Sequence, residues 1–328
     1  MIKVSKYFLL SMAIIVTLCA CTNNPLKKDD SSSVDNDVSI ILDWFPNANH
    51  TGLYAGIKHN TFTNEGLNLS IHAPSDPTTV LALVADQQYD FGIFYQPDLL
   101  LARSEGVPAV AVAGIVNRPL NAMMSLKDSG IKRPSDLAGK KIGYPGIDWN
   151  RSMLATMLES DGLSLVDVEL IDVGWSLAPT LLSGEVDAII GAYWTHESIV
   201  MENEGYDIEI IKPDEWGVPP YYELVIVTSE QFFKEEKDKV KKFVRGLSNG
   251  YQYAISDPDG SLQALFAMSP PSVDRVIEEK GLVLLVPIWS ETDEFGKIQS
   301  KKWNEFTDWM KRRKLLPETF DGNSAFQE

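Results

Sequence analysis

The chain has 328 residues, of which 44% are hydrophobic, 23% charged and 10% aromatic, enough for a large buried core and for two lobes. Its formal net charge of −17 argues against nucleic acid as a partner and against a basic membrane-surface patch. Only two cysteines, Cys19 and Cys21, are present, so the rest of the chain has neither a disulfide framework nor a thiol nucleophile.

Lys3 and Lys6 precede an apolar run, Phe8 to Leu18, that is too short for a permanent bilayer span. Leu18-Cys19-Ala20-Cys21 closes this run, and a small-residue stretch ending in cysteine resembles the lipobox of bacterial lipoproteins. Residues 1–20 are therefore expected to be a signal peptide. The Cys21 thiol would carry lipid such as palmitate and hold the protein on the extracytoplasmic face of a cell membrane. An ordinary secretory signal with two incidental cysteines is the competing reading. Residues 21–37, crowded with Asn, Asp, Lys and Ser, bury too little apolar surface to order themselves and read as a flexible tether.

From Val38 onward, short apolar strands alternate with helical stretches. The pattern predicts strands at Ser39–Leu42, Leu67–His72, Phe91–Phe94 and Val110–Ile115, with helices at Gly52–His59 and Thr78–Asp86 between them. A second series places a capped turn at Pro134–Leu137 and strands at Lys141–Tyr144, Val168–Val173, Asp187–Ala192 and Ile208–Ile211. Helices at Ser152–Ser160 and Ala178–Leu182 fall between them. Leu224–Thr228 restarts an apolar strand, and Glu230–Ser256, Ser272–Lys280 and Ser290–Lys314 read as helical. Such βαβ alternation implies parallel sheets covered by helices. The expected organisation is two α/β lobes, 38–120 plus 225–328 and 121–224, joined by two connecting strands over a cleft. No internal repeat of 20–50 residues is visible.

In open α/β sheets ligands sit beyond the carboxyl ends of strands, so residues there are the pocket candidates. This selects Asp43, Trp44, Asn47 and His50 after the first strand, Tyr95 and Gln96 after Phe94, and Ile115 and Asn117 at the end of the next. In the second series it selects Tyr144, Gly146, Tyr193, Trp194 and Glu197, with Tyr222 and Glu223 at the return crossover. The run Leu42-Asp43-Trp44, Pro46-Asn47 and His50-Thr51-Gly52-Leu53-Tyr54 resembles the substrate-binding proteins of the thiamine-precursor group, the NMT1/THI5-like family. Glu65-Gly66-Leu67, Pro119-Leu120-Asn121, the Pro134 to Gly146 segment and Gly191-Ala192-Tyr193-Trp194 extend the match across most of residues 39–228. The resemblance implies a periplasmic-binding-protein-like fold of type II, with a strand-end Trp and Asn facing the ligand. It also implies a monomeric receptor that captures a formylated aminopyrimidine, the pyrimidine half of thiamine, for an ABC permease and its ATPase.

The residue chemistry suits a flat heterocycle. Trp44, Tyr144, Tyr193 and Trp194 offer ring faces, Asp43 and Glu197 accept from an amine, and Asn47 can both donate and accept. Each has a plainer alternative: Trp44 as core, Asp43 as the cap of a helix beginning near Asn49, and Tyr193-Trp194 as lobe-packing aromatics. His50, His59, His72 and His196 show no metal-ligand spacing, so no metal or cofactor is expected; His196-Glu197 is the one adjacent acid–base pair. Gly143-Tyr144-Pro145-Gly146 before a helix is a place where anions bind, but Asp148 opposes an anion while Arg151 favours one. Riboflavin or another flat ring is the runner-up ligand; nitrate, sulfonate or taurine rank lower. A pyrimidine-synthesising enzyme, as fungal relatives of the family are, ranks lower too, because the cysteine-rich segment of those relatives is absent from this sequence. A membrane-anchored sensory module is the third class.

Overall fold

A computed structural model of the chain describes residues 36–291 and 294–327. The expected signal peptide, Cys21 and all of the tether but Asn36 and Asp37 lie outside the described residues. Among the described residues no helix is long and apolar enough to cross a membrane.

Two five-stranded sheets organise the fold. The first contains β1 (Asp37–Ile41), β2 (Asn68–His72), β3 (Phe91–Phe94) and β4 (Ala109–Val116). The second contains β5 (Asn121–Leu126), β6 (Lys141–Tyr144), β7 (Glu169–Asp172), β8 (Ala188–Tyr193) and β9 (Ile208–Ile211). A last strand, β10 (Leu224–Ser229), returns to the first sheet, whose order is β2-β1-β3-β10-β4; the second runs β7-β6-β8-β5-β9. Every residue of β10 is buried, as a strand covered on both faces requires, whereas the edge strands β2 and β7 carry polar residues to solvent.

The sheets are mixed rather than parallel. β10 runs antiparallel to both β3 and β4, and β5 runs antiparallel to both β8 and β9. Each reversed strand directly follows a crossover from one sheet to the other, so each enters its new sheet from the opposite end.

Helices cover the sheets: α1 (Thr51–Lys58), α2 (Thr61–Asn64), α3 (Val80–Ala85) and α4 (Gln96–Ser104) in the first series, then α5 (Asp148–Ser160), α6 (Leu177–Leu182) and α7 (Glu197–Asn203). The carboxyl-terminal third supplies α8 (Glu230–Glu235), α9 (Lys237–Ser256), α10 (Pro258–Met268), α11 (Arg275–Trp289) and α12 (Ser300–Arg312). α1 and α9 cross closely because Gly250 lets the α1 backbone in; a Cβ there would stand 2.3 Å from the Gly52 carbonyl oxygen. The expected helix over Ser290–Lys314 begins only at Ser300, after Gly296 takes a left-handed φ of +91°. α12 buries Trp303, Phe306 and Trp309, and its Trp309 indole N–H donates to Thr156 Oγ on α5 at 3.1 Å. The helix thereby ties the carboxyl-terminal segment to the second sheet.

Candidate functional site

The chain leaves β1 into Asp43, which is only 4% exposed, and two neighbours hold its carboxylate. His50 Nε2 lies 2.8 Å from Oδ1, and the Tyr95 hydroxyl donates to Oδ2 at 3.0 Å. The backbone N–H of Asn47 donates to His50 Nδ1 at 3.1 Å, so Nδ1 is an acceptor and the ring carries its proton on Nε2, aimed at Asp43. A carboxylate has about four acceptor positions, and these contacts occupy two of them. Asp43 therefore presents remaining acceptor capacity beside Trp44, whose ring is 38% exposed.

Asn47 plays a local part. Its side-chain oxygen accepts from the Asn49 backbone N–H at 2.9 Å and its amide donates to the Phe45 carbonyl at 3.0 Å, which caps the turn Ala48–His50. The cap is thus Asn47, and Asp43 does not fill that role.

A second carboxylate, Glu223, is 1% exposed at the crossover into β10. It accepts from the backbone N–H groups of Leu120 and Asn121, from the Asn121 amide, and from the hydroxyls of Tyr193 and Tyr221, all at 2.8–3.1 Å. Burial pushes its pKa up, and these donors pull against that shift. Tyr95 and Tyr193 are held far above the ordinary phenol range by burial first and by the charges of Asp43 and Glu223 next. Asp98, in the first turn of α4, is raised to about 7 by burial and by Glu223. Three carboxylates and three tyrosines, Tyr95, Tyr193 and Tyr221, thus meet where the carboxyl ends of β1, β3 and β8 face the crossover.

On the second-sheet side, Glu197 accepts from the Tyr193 backbone N–H at 2.7 Å and contacts His196 Nδ1 at 3.1 Å. Burial lowers the His196 pKa, but the hydrogen bond and charge of Glu197, with the charge of Glu278, raise it further and win. Tyr144, at the end of β6, is half-buried opposite Asp172. Gly146 is exposed with φ +75°, and a Cβ there would lie 2.6 Å from an Asp172 carboxylate oxygen. The glycine turn before α5 therefore faces Asp172 as well as carrying Asp148, which suits an anion poorly.

The other sequence candidates are engaged in the scaffold. Gln96 is fully buried and accepts from the Tyr222 backbone N–H at 2.7 Å. Tyr222 packs on Gly114, and its hydroxyl accepts from the Gln299 N–H at 2.8 Å. With Ile115 and Asn117 it lines a small recess against Phe295–Gln299, apart from Asp43. The Trp194 indole N–H donates to the Pro119 carbonyl at 3.1 Å, and Lys212 covers its ring at 4.1 Å. Trp149, in the first turn of α5, is buried against Tyr221. Sequence reading missed Trp175, which follows β7 and stands 70% exposed at 6.2 Å from Trp44. The strand-end rule applied to Val173-Gly174-Trp175 would have found it. Asp98 was missed because Gln96-Pro97-Asp98 was not read as a helix start, although proline suits a first turn. Among the described residues no group of three His, Cys, Asp or Glu side chains is arranged to hold a metal ion.

Two mixed α/β sheets, exchanged strands and strand-end residues gathered at the crossover define a two-lobed solute-binding fold of the periplasmic type II class. The same architecture occurs in the periplasmic aliphatic sulphonate binding protein SsuA of Escherichia coli, with a TM-score of 0.71 at 12% identity over 88% of this chain and 97% of that one. Residues 47–261 match the family described as NMT1/THI5 like, and the chain belongs to that family. It is 35% identical to the formylaminopyrimidine-binding protein of Halalkalibacterium halodurans, over 99% of this chain and 98% of the relative. It is 30% identical to a putative thiamine biosynthesis protein of Haemophilus influenzae, over 95% and 94% respectively.

Proposed function

We propose that this protein is the extracytoplasmic receptor of an ABC importer for a thiamine pyrimidine precursor, a formylated 4-amino-5-aminomethyl-2-methylpyrimidine. The observation that carries this reading is Asp43: a buried carboxylate, oriented by His50 and Tyr95 yet with acceptor capacity left, beside the exposed Trp44 ring. A flat ring stacks on Trp44 while its exocyclic amine donates to Asp43. Similarity over nearly the whole chain to a formylaminopyrimidine-binding protein supports the same ligand. Glu197, Tyr144 and Tyr193 complete the ring's surroundings from the second lobe. Lipid on Cys21 tethers the receptor, and the permease takes the ligand without chemical change.

Mass spectrometry of ligand carried through purification, followed by calorimetry with the formylaminopyrimidine, riboflavin and taurine, tests the assignment. Sub-micromolar aminopyrimidine binding without turnover is the expected result. Tight taurine binding, or conversion of the ligand, defeats it. Exposure of Trp175 favours riboflavin as the second reading, since it would lengthen the aromatic platform for a larger ring. Lipid labelling of wild type but not of Cys21→Ser checks the tether.

A further inference from the structure

The inventory of donors and acceptors around Asp43 is lopsided. His50, from the turn before α1, and Tyr95, at the start of α4, bond its carboxylate, and its charge also bears on Tyr193 at the end of β8 and Tyr251 on α9. Every donor in this set is already engaged. His50 Nε2–H and the Tyr95 hydroxyl are on Asp43, the Tyr193 and Tyr221 hydroxyls are on Glu223, and the Tyr251 hydroxyl donates to the Asn49 carbonyl at 2.7 Å. The His50 ring is used on both sides, Nε2 against Asp43 Oδ1 at 2.8 Å and Nδ1 against the Asn47 N–H at 3.1 Å.

Among the described residues no lysine or arginine pairs with Asp43, Asp98, Glu197 or Glu223. Lys212 is turned to the Trp194 ring, Lys302 to the Asn117 carbonyl and Arg118 to Glu291, while Arg151, in the first turn of α5, is exposed. Buried carboxylates are ordinarily paired or neutralised, since an unpaired charge removed from water is strongly unfavourable. Among the described residues Asp43 has no lysine or arginine partner, and two of its roughly four acceptor positions are in use.

We propose that the cleft takes its ligand as a cation, with a protonated ring nitrogen and the adjacent amine presenting an amidinium-like edge to Asp43. Two parallel N–H···O bonds of this kind are stronger and more directional than those to a neutral edge. The proposal rests on the reading of the cleft as a ring-binding site, but not on which ring fills it. A neutral aminopyrimidine would gain a proton on binding, so affinity falls as pH rises above the pKa of its free ring.

The probes are benzamidine, benzamide and benzoate, three flat rings of nearly one shape that differ in charge, with competition or calorimetry on the full protein at pH 7. Benzamidine is expected to bind about tenfold or more tighter than benzamide, with benzoate weakest. Asp43→Asn collapses the ratio, whereas Asp128→Asn, on the exposed turn after β5, preserves it. Equal binding of benzamidine and benzamide by wild type, binding of neither, or a preference for benzoate overturns the proposal without reliance on any variant. Calorimetry of the formylaminopyrimidine in buffers of different ionisation enthalpy, above the ring pKa, should show proton uptake that survives Asp98→Asn. Aminopyrimidine binding with no proton uptake overturns the charge rule and leaves the ligand reading standing. A benzamidine preference in a protein that ignores aminopyrimidines does the reverse.

Discussion

Trp44 and Trp175 approach to 6.2 Å between ring centroids, tilted by 48°, although one follows β1 in the first sheet and the other follows β7 in the second. Trp175 rides a tight turn in which the Gly174 N–H donates to Asp172 Oδ1 at 3.0 Å, so its exposed ring is placed by the backbone rather than by burial. So much tryptophan surface left in water marks a binding surface more often than a packing fault.

The two rings make separable contributions to a stacked ligand. Trp44→Ala should weaken every planar ligand by roughly 1–3 kcal/mol, because it removes dispersion across a whole ring face. Trp175→Ala should act chiefly on the dissociation rate, since its ring is 70% exposed beside Trp44. Stopped-flow fluorescence separates the two, and an unchanged dissociation rate in folded Trp175→Ala would remove that residue from the site.

Asn47 carries a different expectation from the one its strand-end position suggests. Both ends of its amide are used within the Phe45–Asn49 turn, so Asn47→Ala should cost roughly 0.5–2 kcal/mol of stability as a lost cap. Urea unfolding reads this directly. Full retention of stability, with loss of discrimination among ring-edge analogues, would return Asn47 to ligand contact.

Much of the fold was legible because its strands are short apolar runs set off by turn residues. β10 and β3 declared themselves, being buried along their whole length. β5 did not: Asn121-Ala122-Met123-Met124-Ser125-Leu126 contains no β-branched residue, and its place between β8 and β9 comes from tertiary pairing. The reversed direction of β5 and β10 was equally hidden, since hydrophobic pattern carries no strand direction. In the candidate site, the ends of β1 and β8 were readable as positions. Whether a side chain there faces ligand or scaffold depends on partners far away in sequence, as Gln96 with Tyr222 and Trp194 with Pro119 show.

Asp98 makes stability depend on pH. Its pKa is raised to about 7 by burial and by Glu223, whereas an unfolded aspartate titrates near its ordinary value. The folded state then holds a proton that the unfolded state has lost, so this contribution is present in full at low pH and disappears as pH rises through about 7. Asp98→Asn, which cannot ionise, should therefore match wild type near pH 4 and exceed it at pH 8 in urea midpoint. A wild-type advantage at pH 8 would show that Asp98 is stabilised as the anion.

Glu223 joins the two crossovers between the sheets: it lies at the entry to β10 and receives the backbone N–H groups of Leu120 and Asn121 at the entry to β5. One carboxylate so placed fixes the spacing of both hinge strands while leaving the lobes, proposed as 38–120 plus 225–328 and 121–224, free to rotate about them. Glu223→Gln keeps the shape but turns one acceptor into a donor, which leaves a buried hydroxyl or backbone N–H facing an NH₂ group. Such a mismatch costs roughly 1–3 kcal/mol. If the carboxylate governs the hinge, the variant should also lose part of the fall in radius of gyration that X-ray scattering is expected to show when wild type closes on its ligand. A variant that is destabilised yet closes to the wild-type radius would confine Glu223 to the core and free the hinge from it.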